Sequence, residues 1–206
     1  MTEQDGPDLL AAALALIAER GWRGFGLVEL ARRTGQPLSA IHAAFPARGA
    51  VLRRLGERLD EAMLGISPTE LAEMTPRERL FELMMRRFDA MAPYRQALRA
   101  MARRPGVDLE AMAVSLCNLR RVAGWLVDAA GGPAGGLAGL AGRQAVLVVY
   151  ARAFRAWLDD ETEDRARTLA ELDRRLGQLE SLVGWTSRFR CRGIGRRGAA
   201  GEPAAA

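Results

Sequence analysis

Apolar residues recur three and four positions apart along almost the whole chain, and this spacing constrains the fold more than any other feature. No stretch alternates with the period of two that a half-buried strand needs. An all-α chain of about nine helices follows. Leu10, Leu14 and Ile17 share one face of a helix expected over residues 8–20, with Asp8 at its positive end and Gly21 stopping it. Further helices are expected over residues 27–34, closed by Gly35, and 38–45, ended by the restriction Pro46 places on Phe45. Another over 49–64 aligns Leu52, Leu55 and Leu59. A break at "GISPTELAEMTP" precedes Thr75-Pro76, an N-cap and first-turn proline opening a helix to Met91. Shorter and longer helices follow over 94–103, 108–130 and 144–159. A final long helix, expected after the acidic cluster of Asp159 to Asp164, carries Leu169, Leu172, Leu176, Leu179 and Val183 as a seam suited to a partner helix.

The glycine-rich stretch "GGPAGGLAGLAG", residues 131–142, lacks the Gly-Lys-Ser/Thr ending of a phosphate loop and follows a helix, so a flexible helix–helix connection is expected. The helix after it is apolar almost all round and is expected to be central. After Gly184 the composition shifts to Arg, Gly, Ala and Pro, which reads as a disordered basic tail. Three regions result: residues 1–50, 51–184 and 185–206.

Charge narrows the function classes. All 30 basic residues are Arg, and the net charge is +5. Residues 1–184 hold 25 Arg against 24 acidic residues, so most of the excess lies in the tail. Summed over the body, charge gives little support for phosphate binding. Two cysteines, Cys117 and Cys191, make no disulfide framework, and the acidic N-terminus is unlike a signal peptide, so a reduced cytoplasmic protein is expected. No metal-ligand set, catalytic triad or paired-acid arrangement has sensible spacing, so neither an enzyme nor a cofactor is expected. His42, the only histidine, has no Cys or Ser partner.

The segment "TGQPLSAIHAAFPARGAV", residues 34–51, has the outline of a helix-turn-helix. Gly35 supplies the small turn residue, and Leu30, Ile41 and Phe45 are expected to lock the short helices together. With "LLAAALALIAERGWRGF" before it, "VELARRTG" as the second helix and the "AxFPxR" pattern over 43–48, the segment resembles the N-terminal domain of TetR-type regulators. That resemblance implies a homodimer, a C-terminal ligand pocket, and release from duplex DNA on ligand binding. It places Gly26 where such regulators hold a phosphate with Ser or Thr. It leaves Gln36, Ser39, His42 and Arg48 as DNA-contact candidates, with Arg32 and Arg33 flanking. A helix N-terminus at Gly26 offers backbone N–H groups to an anion.

A second resemblance lies at the other end. Gly21-Trp22 and "VYARAFRAWLDDETEDRARTLAELDRRL", residues 149–176, are similar to a lipid-binding family of ubiquinone biosynthesis that shares the TetR fold. The matching residues are Trp157-Leu158, Asp159-Asp160, Thr168 and the Leu172-Asp173, Arg175-Leu176 element. This resemblance implies an isoprenoid-like ligand and peripheral membrane contact without DNA binding.

Both resemblances imply an apolar cavity. Its candidate lining is Met84, Met85, Phe88, Met112, Leu116, Trp125, Tyr150, Phe154 and Trp157, with Met suited to an adaptable, hydrophobic fit. The last two long helices are the expected dimer surface.

Overall fold

The computed structural model describes residues 8–103, 108–133, 135–162 and 164–194, with backbone only at 103 and 182–194. The described residues form ten α-helices and no strand: α1 Leu9–Gly24, α2 Leu27–Thr34, α3 Leu38–Ala44, α4 Arg48–Leu64, α5 Pro68–Glu73, α6 Pro76–Met91, α7 Arg95–Arg103, α8 Leu109–Ala129, α9 Gly136–Asp159 and α10 Ala166–Ile194. The all-α expectation holds.

Local chemistry sets most boundaries. Asp8 caps α1 by accepting from the Leu10 and Ala11 N–H groups, both at 3.1 Å. Gly21 breaks that helix with φ 71° and ψ 170°, and Gly35 closes α2 in the left-handed region at φ 68°, where a Cβ is penalised. Thr75 and Glu78 form a capping box ahead of Pro76, as the sequence leads one to expect. Ser67 and Glu70 form another, which starts the short α5 inside the expected break.

Two expected boundaries are corrected. The connection over 131–142 is shorter, because α9 begins at Gly136. Leu137, Ala138, Leu140 and Ala141 favour helix strongly enough to offset glycines that each cost about 1 kcal/mol. Gly139 is buried, while an added Cβ at Gly142 would make only ordinary contact with the methyls of Val127 at 4.0 Å. At the other end, α10 continues to Ile194, ten residues beyond Gly184. Arginine is a good helix former, so an arginine-rich composition does not stop a helix already running. Residues 195–206 lie outside the described residues.

The α1–α3 group packs on α4 and α7, and α4, α6, α8, α9 and α10 form the bundle. One hydrophobic core runs through both, from Leu10 and Ile17 through Leu55, Met63 and Phe88 to Trp157 and Leu176. The apolar seam of α10 finds its partners within the chain: Leu172 and Leu176 are buried, and α10 packs on α9 and α6. The expected centrality of α9 is met on one side by Val146, Val149, Tyr150, Ala153 and Trp157, while Val148 stays 57% exposed.

Candidate nucleic-acid interface and bundle core

Leu30, Ile41 and Phe45 are buried, as the helix-turn-helix reading requires. Above that core, α3 turns Leu38, Ser39, His42 and Ala43 to solvent. Gly26 is the N-cap of α2 in extended backbone, and no atom lies within 4 Å of where its Cβ would be. Sterics therefore do not demand glycine there, and the open space leaves the first α2 N–H groups approachable. Gln36 is half-buried in the turn.

Arg48 does not join this face. It opens α4, donates to the Trp22 carbonyl, lies 4.8 Å from the centre of the Trp22 ring, and pairs with Asp108 at 3.9 Å. Beside it, the Gly49 N–H donates to Glu110 Oε1 at 2.9 Å. Carboxylates from the first turn of α8 thus occupy the N-terminus of α4, where the helix dipole attracts negative charge. The Ala111 N–H bond, opposed by some burial, holds the Asp108 carboxyl below its ordinary value. Sequence could not reveal this, because 60 residues separate Arg48 from Asp108.

Charge distribution is uneven once the helices are in place. Residues 8–58, which make α1–α3 and most of α4, hold eight Arg against four carboxylates. Residues 30–56 hold five Arg and no carboxylate at all. The near-neutral sum over 1–184 hides the net +4 of residues 8–58, which is offset by Glu3 and Asp5 before that span and by one excess carboxylate over residues 59–184. Arg32 is exposed with a weak pair to Glu29 at 3.3 Å, Arg33 is tied to Glu19 at 2.6 Å, and exposed Arg53 has no ion-pair partner among the described residues.

The expected pocket residues divide. Met84, Phe88, Tyr150 and Trp157 are buried, and Met85 and Phe154 are half-buried against them. Phe88, Tyr150, Phe154 and Trp157 form a closed ring of stacked aromatics, with centroid separations of 5.6 to 6.3 Å. Met112, Leu116 and Trp125 do not line this region: they are 57%, 51% and 49% exposed. All the buried residues of α8, namely Val122, Ala123, Leu126 and Val127, lie in its C-terminal half. Its N-terminal half leans on α4 through other positions, with Asn118 donating to the Leu52 carbonyl at 2.9 Å. A regular apolar spacing says which residues share a stripe, not whether anything covers it.

Against expectation, the bundle interior is also charged. Arg87, 4% exposed, pairs with Asp60 and donates to the Tyr150 hydroxyl at 3.1 Å, while Arg121 donates to the other Asp60 oxygen at 2.5 Å. Burial raises the Tyr150 phenol pKa, against the lowering effect of Arg87. One signal was available: Arg87 stands on the apolar face of α6, three residues after Met84 and four before Met91.

The residues carrying the C-terminal resemblance form a structural corner. Asp160 is buried and accepts from the Thr162 and Thr168 hydroxyls at 2.6 and 2.7 Å and from the Thr168 N–H at 2.8 Å. Burial opposes the charged form, but these bonds lower its pKa to about 2. Arg95 lies 4.3 Å from the centre of the Trp157 ring and donates to the Asp160 carbonyl, and Arg99 donates to the Leu158 carbonyl. Cations from α7 therefore complete the C-terminus of α9.

A three-helix module with a solvent-facing third helix, carried on an α-helical bundle, defines the class. Within it, the fold is that of the TetR transcriptional regulators. A TetR transcriptional regulator from Nitrosomonas europaea has 22% identity and a TM-score of 0.68, with 82% of this chain and 94% of that one aligned. A transcriptional regulator from Rhodococcus sp. Rha1 has 19% identity and a TM-score of 0.59, over 84% and 94%. The regulator FadR from Bacillus subtilis, solved with stearoyl-CoA, has 17% identity and a TM-score of 0.58, over 82% and 96%. No family model matches the chain, and no curated protein matches it. Among the described residues, no helix is long and apolar enough to cross a membrane.

Proposed function

We propose that this chain is a TetR-type transcriptional regulator that binds duplex DNA through α1–α3 and responds to a small hydrophobic molecule. The observation that carries this reading is the module that turns α3 to solvent above a buried helix-turn-helix core, with exposed Arg32, Arg33, Arg53 and Arg54 on the helices before and after α3. Local positive charge on one module draws the phosphate backbone even when the whole chain is near balance. Ser39 and His42 contact DNA from α3, Gln36 from the turn, and Gly26 through the α2 N-terminus. The hydrophobic effector sits beside the Phe88, Tyr150, Phe154 and Trp157 ring. The working unit is a cytoplasmic homodimer joined through α9 and α10, where Leu137, Leu140 and Val148 are exposed. Binding to its own upstream DNA across a salt series tests the reading. A preference of orders of magnitude over random duplex is expected; no preference at low salt would sink it.

One observation favours the lipid-binding reading on the same fold: Leu109, Met112 and Leu116 leave an uncovered apolar stripe on α8. In that reading the purified protein carries an isoprenoid or phospholipid and binds liposomes. Mass spectrometry finding neither, with no liposome binding, removes it.

A further inference from the structure

We infer that the α2–α3 face reads thymine through its C5-methyl groups, so that the preferred duplex is one whose major groove presents thymine methyls to Val28 and Leu38. This rests on the DNA-binding reading above. Val28 is 52% exposed near the start of α2, and Leu38 is 58% exposed at the start of α3. They are the only large exposed hydrophobics of α1–α4 among the described residues, and both stand on the two helices of the helix-turn-helix. Such an apolar pair leaves water only against apolar surface. In a DNA groove that surface is the thymine methyl, which no other base offers.

The rest of the face supports this occupant. Leu38 and His42 are one helical turn apart, as are Ser39 and Ala43, so each row pairs an apolar group with one able to make a hydrogen bond. No Arg, Asn or Gln projects from α3 to make the bidentate contacts that read guanine or adenine, and Gln36 is half-buried. Discrimination therefore rests on methyl contacts beside the single hydrogen bonds that Ser39 and His42 can make. Exposed Arg32 and Arg33 of α2 and exposed Arg53 and Arg54 of α4 supply charge for the phosphates on either side.

Selection of bound duplexes from a random-sequence pool, followed by replacing each thymine of the selected duplex with deoxyuridine, tests the inference. Removing a contacted methyl weakens binding roughly fourfold, the effect of one buried methylene-sized group. The double variant combining Leu38→Ala with Val28→Ala, both at exposed positions, binds thymine and deoxyuridine duplexes alike while keeping the salt dependence. A duplex that is selected but binds equally with and without its thymine methyls overturns the inference and leaves the DNA-binding reading standing. Failure to select any duplex overturns both. Leu38→Ala weakening attachment to phosphatidylglycerol vesicles, with no duplex selected, would assign the patch to a lipid surface instead.

Discussion

Asp160 shows how much one side chain holds. Its folded carboxyl titrates near 2 against an ordinary 3.8, so its contribution is complete above the unfolded value and disappears as pH falls from 3.8 towards 2. A shift of that size corresponds to about 2 kcal/mol. Asp160→Asn should lose about that much in urea unfolding at neutral pH and should flatten the stability curve in that acid window. An unchanged acid limb would show the carboxylate is not what holds the corner. Arg48 and Arg53 make an opposite pair. Arg48 is turned onto Trp22 and Asp108, so Arg48→Ala should cost about 1–3 kcal/mol of stability and leave the salt slope of DNA binding unchanged. Arg53→Ala should leave stability alone and make that slope shallower.

At the scale of elements, the close approach of α4 and α8 is set by glycine. A Cβ at Gly56 would lie 2.6 Å from Asn118 Nδ2, which is bonded to the Leu52 carbonyl. Gly56→Ala should therefore destabilise by about 1 kcal/mol despite the better helix propensity of Ala. With Asn118→Ala already in place the same change should stabilise by a similar amount. Additive effects in that double-mutant cycle would rule out the contact as the cause. Helix existence was legible in the sequence because caps, prolines and apolar spacing act within a few residues. The extension of α9 and α10 was not, because glycines signal a stop that the leucines and alanines between them override, and an arginine-rich composition fits a helix as well as a solvated tail.

For the whole molecule, Asp60 joins α4, which leads out of the helix-turn-helix module, to α6 and α8 of the bundle. Removing it leaves Arg87 buried without its counter-charge, so Asp60→Ala should cost about 3–5 kcal/mol in equilibrium unfolding. A cost within 1 kcal/mol would mean that Arg87 finds another acceptor. The exposed apolar face of α9 belongs to the same scale. Sedimentation should find a dimer for the native chain and a monomer for Val148→Glu. A dimer unchanged by that substitution would move the interface elsewhere.

The sequence by itself determined the all-α class, the helix-turn-helix scaffold of Gly35, Ile41 and Phe45, and most helix ends, because each rests on neighbours along the chain. Only the tertiary structure decided that Arg48 faces inward, that Met112, Leu116 and Trp125 face solvent, and that charge enters the core at Asp60 and Arg87. Those outcomes depend on which helix lies against which face. Periodicity defines the faces, and long-range packing alone selects the one that is covered.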